Sequence, residues 1–197
     1  MTNKRISYVL TCDENTERSQ FSKRVLEHVG FHVNFIKCIP DDNKVLSNKK
    51  SMLHIYEMVA SGNEEWVYIF EDEINILEDI KLDEIIKYET ISSIFFYLGV
   101  CCYNVLSRNK EHKIENKDVT IVSGNVRGLH AIALSKDGAN ELLKYSQDYE
   151  NTEYMDMILE KFSEKYPANV VRYDLESYIK GHRGIFFQDR LRFPSTI

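Results

Sequence analysis

Three consecutive carboxylates, Glu71, Asp72 and Glu73, are the residues of this sequence best suited to chemistry. They follow directly on Trp66 to Phe70, an apolar run rich in aromatic and β-branched residues, which predicts a buried strand with acid at its C-terminal end. In open α/β sheets, ligands bind outside the carboxyl ends of the strands. We therefore expect a metal ion or a phosphorylated substrate at this position.

The geometry of this acidic triplet depends on whether the strand continues through it. Strand alternation would place Glu71 and Glu73 on one side and Asp72 on the other, whereas a turn could bring all three together. Adjacent carboxylates are costly to hold together without positive charge between them, and Mn²⁺ or Mg²⁺ commonly joins carboxylates to substrate phosphates. The alternative is that the triplet is the solvated end of a strand, followed by more surface acid at Glu78 and Asp79.

Four other residues are candidates for binding. Gly99 ends an apolar strand-like run, where the absence of a side chain would let a substrate approach the backbone. His182 and Arg183 lie between glycines and could supply a metal ligand and a phosphate contact, or they could belong to an ordinary exposed loop. His54 lies beside the apolar stripe of a helix predicted over residues 49–61, and its alternative is a half-buried structural histidine.

The elements that must position these residues alternate between strand and helix. A strand over Ile6 to Cys12 is followed by a helix that Asn15 or Thr16 can cap and that Gly30 ends. A second strand follows at Phe31 to Ile39. A strand, a crossover helix and a strand predict a parallel pair, and so an α/β fold.

Later in the chain the pattern predicts a hairpin and a helix. Val119 to Ser123 and Leu129 to Leu134 flank a glycine-rich turn, which is typical of two paired strands. Thr152 to Lys165 has helical apolar spacing, and Asp156 lies at the border between its buried and exposed sides.

Length and composition exclude several classes of protein. A chain of 197 residues with three prolines predicts a single folded domain over residues 1–197. A net charge of −6 gives no general attraction for nucleic acid, and we expect none as a partner. No apolar run of about 18 residues is present, so we expect no transmembrane segment and a cytoplasmic protein, in the host cytoplasm if the source is a virus.

Short motifs in a fixed order resemble glycosyltransferase family 25, the family of lipooligosaccharide and collagen-modifying galactosyltransferases. Phe70-Glu-Asp-Glu is similar to its Leu-Glu-Asp-Asp motif, and the run that starts at Gly128, Gly-Leu-His-Ala-Ile-Ala-Leu-Ser, resembles its Gly-x-His-Ala-Tyr-x-Ile-Ser. Shorter matches extend over nearly the whole chain: Glu17-Arg18, His54, Tyr97-Leu98-Gly99, Asp156 and Gln188-Asp-Arg. The sequence departs from the family at Glu73, where aspartate is usual, and at Leu53, where serine precedes the histidine.

The resemblance implies a GT-A-type glycosyltransferase, an α/β fold with a single Rossmann-like mixed sheet flanked by helices. It also implies metal-dependent, inverting transfer of a hexose from a nucleotide sugar, with UDP-galactose or UDP-glucose as the expected donor. The acceptor would be a hydroxyl of a glycan, a lipooligosaccharide or a protein. An inverting transfer needs one base, for which Asp156 is the candidate; it could instead grip the acceptor or be a simple helix-surface carboxylate.

These expectations define two predicted ligand sets. The residues predicted to contact the donor are Glu71, Asp72, His54, Gly99 and Arg183. The residues predicted to ligate Mn²⁺ or Mg²⁺ are Glu71, Glu73 and His182. A longer carboxylate at position 73 can still ligate a metal ion.

Two other functions fit the same residues. One is a glycosyltransferase-fold binding protein without activity, in which the altered triplet no longer holds metal. The other is a metal-dependent nucleotidyl or phosphoryl transferase that uses the same acidic strand end. The sequence has no glycine-rich phosphate loop of the P-loop kind, which counts against an NTPase.

Overall fold

The computed structural model describes residues 5–101, 113–116, 118–124, 126–149 and 154–194, with the backbone alone for 113–116. The strands are β1 (Ile6–Thr11), β2 (His32–Lys37), β3 (Trp66–Glu71), β4 (Ile74–Ile76), β5 (Phe95–Cys101), β6 (Lys113–Asn116), β7 (Val119–Val122), β8 (Arg127–Ser135), β9 (Ala168–Val171), β10 (His182–Gly184) and β11 (Phe186–Gln188). The helices are α1 (Glu17–Val29), α2 (Lys44–Ser61), α3 (Leu82–Ile85), α4 (Lys136–Ser146) and α5 (Met155–Lys165), with a 3-10 turn at Ile86–Thr90.

Within these residues, nine strands form one mixed sheet. Eight follow the order β2-β1-β3-β8-β5-β9-β7-β6, and β10 pairs with β5 beside this row. The β1 strand is parallel to β2 and β3, and β5 is parallel to β9, whereas β8 runs antiparallel between β3 and β5. The two remaining short strands, β4 and β11, pair with each other. The predicted α/β architecture with a mixed sheet flanked by helices is confirmed.

The central strand β3 is buried on both sides, as its apolar sequence predicted. Ile69 belongs to one core cluster, together with Met52 of α2 and Leu142 of α4. Tyr68, which points to the opposite face of the sheet, belongs to the other cluster, together with Leu26 of α1. A strand covered on both sides is held firmly in place, so the carboxylates at its end are anchored to the rigid part of the fold.

The first helix begins and ends at the residues that the sequence indicated. The Thr16 side chain accepts a hydrogen bond from the backbone N–H of Ser19, and the backbone N–H of Gly30, at φ 119°, bonds back to the Leu26 carbonyl. This cap fixes the first turn of α1 beside the end of β1. Arg18 and Ser19, both in that turn, are therefore positioned at the same edge of the sheet as the acidic triplet.

The second helix is longer than predicted and has one buried side. Asn43 caps it through hydrogen bonds from Val45 and Leu46, so it begins at Lys44 and not at residue 49. Its 18 residues bury Met52 on the core side and leave His54 exposed. Among the residues that the structure describes, no helix is long and apolar enough to cross a lipid bilayer.

The predicted hairpin between residues 119 and 134 is wrong. The β7 strand pairs with β6 and β9, whereas β8 is inserted between β3 and β5. The physical reason is the composition of β8, whose residues from Gly128 to Ser135 are all buried. A strand that is apolar on both faces needs a central place in the sheet, and the glycine-rich turn only separates it from β7.

Candidate functional site

Three strand ends meet at one edge of the sheet. Because β1, β3 and β5 run in the same direction, their last residues Thr11, Glu71 and Cys101 lie at this edge. Asp72 and Glu73 form the turn from β3 into β4, and the backbone N–H of Asp189 donates to the Glu73 carbonyl over 2.8 Å. The chain segment after β11 therefore lies against the acidic turn.

Asp72 is held by hydroxyl groups from the first strand and helix. Its Oδ2 accepts hydrogen bonds from Thr11 Oγ1 at 2.6 Å and from Ser19 Oγ at 3.4 Å. Its Oδ1 lies 3.7 Å from Arg18 Nη1. Ser22 Oγ also donates to the backbone carbonyl of Asp72 over 2.7 Å. Both the side chain and the backbone of Asp72 are thus fixed against α1.

Glu73 is buried and lies between two arginines. Its side chain is 8% exposed, with Oε2 3.2 Å from Arg18 Nη1 and Oε1 3.9 Å from Arg190 Nε. Burial raises the pKa of Glu73, and the two guanidinium groups act in the opposite direction. The other end of Arg18 donates through Nη2 to the carbonyls of Phe193 and Pro194. Arg18 therefore joins the acidic turn to the C-terminal segment.

Glu71 is in a different environment from its two neighbours. Its Oε2 accepts a hydrogen bond from Gln188 Nε2 at 2.6 Å, and Gln188 Oε1 in turn accepts one from Arg190 Nη2 at 2.9 Å. Loss of solvation, followed by the nearby charge of Glu73, raises the pKa of Glu71 to about 7. Near neutral pH, Glu71 is divided between its protonated and ionised forms.

His182 lies next to Gln188 in a buried polar group. Cys101 Sγ is 3.5 Å from His182 Nδ1, 3.7 Å from His130 Nδ1 and 3.7 Å from Gln188 Oε1. The two imidazole rings stack with their centroids 6.0 Å apart. Burial lowers the pKa of His182 to about 4 and that of His130 to about 3, so both rings are neutral at pH 7. Cys101 is buried.

Close packing at position 99 leaves no space for a side chain. A Cβ atom at this position would lie 2.2 Å from the carbonyl oxygen of Phe186 and 2.6 Å from His130 Nε2. The β5 strand also changes register against β8 here. The sequence predicted that a substrate approaches the backbone at Gly99; in the structure, Phe186 and His130 make this close approach.

Two predicted site residues, Arg183 and His54, have their described contacts away from the acidic triplet. Arg183 donates to the Tyr173 carbonyl at 3.1 Å and to Glu176 at 2.8 Å, since it points to the opposite side of β10 from His182. His54 lies 3.9 Å from Glu57 on the exposed side of α2. Their contacts do not connect either residue with the carboxylates.

Asp156 lies in the first turn of α5 and is partly buried. Burial raises its pKa, and the charge of Arg127, at the start of β8, lowers it in part. Arg127 itself donates to Glu160 over 2.7 Å. A carboxylate whose pKa is raised is a better proton acceptor, so the environment of Asp156 is compatible with the predicted role of base.

The predicted ligands for a divalent cation are Glu71, Glu73 and His182. In the part of the chain that the structure describes, no group of three or more His, Cys, Asp or Glu side chains is arranged to hold a metal ion. The oxygens of Asp72 and Glu73 already face hydroxyl or guanidinium donors. The described polar contact of the Glu71 carboxylate is with Gln188, and that of the His182 ring is with Cys101. As arranged here, the residues do not fit the predicted Mn²⁺ or Mg²⁺ site.

Several residues of this site were assigned no contact from the sequence. Arg18, Gln188 and Arg190 appeared only as positions of the family resemblance. Thr11 and Ser19 were not singled out. The available signal was the change from apolar to polar residues at the end of the first strand, Leu-Thr-Cys-Asp, at the same sheet edge as the triplet.

The chain is similar to known proteins in structure and not in sequence. No protein-family model matches the chain, and no curated protein is similar to it in sequence. A glycosyltransferase involved in the glycosylation of the major capsid of PBCV-1 matches in structure with TM-score 0.50 and 9% identity, over 80% of this chain and 76% of that one. A UDP-glucose pyrophosphorylase in complex with UDP-glucose matches with TM-score 0.52 and 8% identity, over 85% and 90%.

At these identities the similarity shows the fold alone. The chain has the GT-A-type fold, as predicted, and this fold is shared by enzymes that transfer sugars and enzymes that make nucleotide sugars. Membership of family 25 stays a prediction.

Proposed function

We propose that this chain is a glycosyltransferase that moves a hexose from a nucleotide sugar to a hydroxyl group of a glycan or protein. The observation that carries the proposal is the acidic turn Asp72-Glu73 at the carboxyl end of β3, beside the end of β1, in a GT-A-type sheet. Ligands of open α/β sheets bind at such an edge. The proposed donor, implied by the family 25 resemblance, is UDP-galactose or UDP-glucose.

The hydroxyl and carboxylate groups at this edge are suited to a nucleotide. Thr11 and Asp72 form a rigid hydrogen-bonded pair between two neighbouring strands. Carboxylates in such positions accept hydrogen bonds from ribose hydroxyls, as the acidic residue of dinucleotide-binding sheets does. The guanidinium of Arg190 contacts Glu73, the residue that follows Asp72, and can contact a diphosphate.

In the proposed inverting reaction, a base takes the proton of the acceptor hydroxyl as its oxygen attacks the anomeric carbon. The bond from that carbon to the diphosphate breaks, and the nucleoside diphosphate leaves with the bonding electrons. Asp156 is the proposed base, because burial raises its pKa and it lies on a helix that packs against β8. In this proposal Asp156 accepts the proton of the attacking hydroxyl.

Turnover tests this proposal directly. The protein is incubated with UDP-glucose, UDP-galactose and other nucleotide sugars, and release of the nucleoside diphosphate is measured. We expect one UDP-sugar to be consumed, and Asp156→Asn to lower the rate at least about 100-fold without loss of donor binding. Asp174→Asn, whose carboxylate pairs with Arg172 instead, is the matched control and should keep the rate. Failure of every nucleotide sugar both to bind and to react would refute the proposal.

A sugar-nucleotide binding protein without activity is the second candidate. It is favoured by the pairing of Glu73 with two arginines, which satisfies the triplet inside the chain. Tight binding of a UDP-sugar without any turnover, in the presence of a panel of acceptor sugars, would support this candidate over the enzyme.

A further inference from the structure

We infer that this site binds the diphosphate of its nucleotide sugar without a divalent cation, with Arg190 contacting the phosphates and Arg18 neutralising the carboxylates. The inference rests on the proposed function and concerns the same site. Arg18 is a positioning residue in this account, and Arg190 is the residue that contacts the ligand.

The first observation is that the two carboxyl groups of the turn, Asp72 and Glu73, have protein partners on all four oxygens. Asp72 Oδ2 faces Thr11 and Ser19, and its Oδ1 faces Arg18. Glu73 Oε2 faces Arg18, and its Oε1 faces Arg190. A divalent cation would have to displace at least one of these groups before it reached an oxygen ligand.

The second observation is the balance of charge. Two carboxylates, Asp72 and Glu73, are matched by two guanidinium groups within 4 Å, Arg18 and Arg190. The remaining acid, Glu71, accepts a hydrogen bond from Gln188 and has no described contact with either arginine. A cation added at Asp72 and Glu73 would meet two fixed positive charges that already balance these two carboxylates, which is unfavourable.

The third observation is that Arg190 has room for a ligand. Its side chain is 40% exposed, compared with 16% for Arg18. A guanidinium carries five N–H donors, and the described contacts of Arg190 use Nε and Nη2. Its remaining donors can form paired hydrogen bonds with phosphate oxygens, a role to which guanidinium is well matched.

The fourth observation concerns the segment that carries Arg190. Arg192 stacks over the ring of Phe21 at 4.1 Å, and Phe21 packs against Phe193 with ring centroids 5.5 Å apart. Arg18 donates to the carbonyls of Phe193 and Pro194. The segment is thereby held on α1, and Arg190 is presented at the site before any ligand binds, which lowers the entropic cost of binding.

Calorimetric titration of the whole chain with UDP tests the inference. The protein is freed of metal with EDTA and titrated with UDP in EDTA, then titrated again in excess Mn²⁺. We expect the two dissociation constants to agree within about threefold. Arg190→Gln should weaken binding about 10-fold or more in both conditions, since a charge-assisted contact is lost. Arg24→Gln replaces an exposed arginine of α1; it is the matched control and should bind as the wild type does.

The outcomes separate this inference from the proposed function. Binding of UDP only when Mn²⁺ is present would overturn the inference and leave the nucleotide site intact. Unchanged binding by Arg190→Gln would overturn the role of Arg190. Absence of UDP binding in both conditions would overturn the inference and the proposed function together. Since Arg190 is well exposed, its replacement should leave folding intact, which circular dichroism of the variant checks.

Discussion

Replacement of Glu71 by glutamine should stabilise the protein at alkaline pH and change little at acid pH. Glutamine keeps the length of the side chain, and its carbonyl oxygen can still accept the hydrogen bond from Gln188. What it removes is the ionisable group. The variant therefore isolates the free energy linked to ionisation of Glu71.

The magnitude follows from the pKa of Glu71, which the fold raises from 4.5 to about 7. Between pH 4.5 and about pH 7, Glu71 is protonated in the folded state and ionised in the unfolded state. The contribution of this proton to the free energy of unfolding is therefore complete below pH 4.5 and is lost as the pH rises through 7. From pH 5 to pH 8 the loss would be about 2.5 kcal/mol without solvent screening. Because Glu71 is partly exposed, we expect about 1–2 kcal/mol.

Urea unfolding of the wild type and of Glu71→Gln at pH 5 and pH 8 measures this difference. The stability of the variant relative to the wild type should rise by about 1–2 kcal/mol between the two pH values. Glu14→Gln, at an exposed site, is the control for glutamine substitution in general and should show a much smaller change. A relative stability of Glu71→Gln that is equal at both pH values would refute the assignment of a raised pKa to Glu71.

Two other predictions concern the buried parts of the site. Gly99→Ala should unfold the protein or lower its free energy of unfolding by at least about 3 kcal/mol, because the new Cβ would lie 2.2 Å from the Phe186 carbonyl oxygen. Thermal denaturation measures the loss of stability. An unchanged melting temperature would contradict the packing described. His182 has its pKa lowered to about 4, so its contribution to stability is present above pH 6.5 and is lost as the pH falls towards 4. His182→Gln should therefore lose less stability than the wild type between pH 7 and pH 4.5 in urea unfolding, and an equal or larger loss would count against a buried neutral imidazole.

Local patterns in the sequence were enough to predict the elements that carry the site. The apolar run before Glu71 predicted the buried strand β3, and the Thr16 cap with the Gly30 stop predicted α1. These elements can be predicted from local sequence, because a helix cap or a buried strand is determined by residues within a few positions of one another. The same reasoning failed for β8, whose partners are set by burial on both faces and lie far away in the chain.

The contacts that define the site could not be predicted in this way. Arg18 pairs with Glu73, and Gln188 bonds to Glu71, across separations in sequence that no local pattern spans. The sequence identified the acids correctly as the end of a buried strand, but it did not indicate that the guanidinium groups of Arg18 and Arg190 face them. Charge partners that come from distant segments are decided by tertiary packing.

The most direct test of the central claim, that a nucleotide sugar binds at the edge formed by β1 and β3, is an NMR titration. Backbone amide resonances of the ¹⁵N-labelled protein are followed while UDP-glucose or UDP-galactose is added in EDTA. We predict that the largest shifts cluster at Thr11 to Ser19, at Glu71 to Glu73 and around Arg190. Shifts confined to other surfaces, or no shifts at millimolar ligand, would contradict the account.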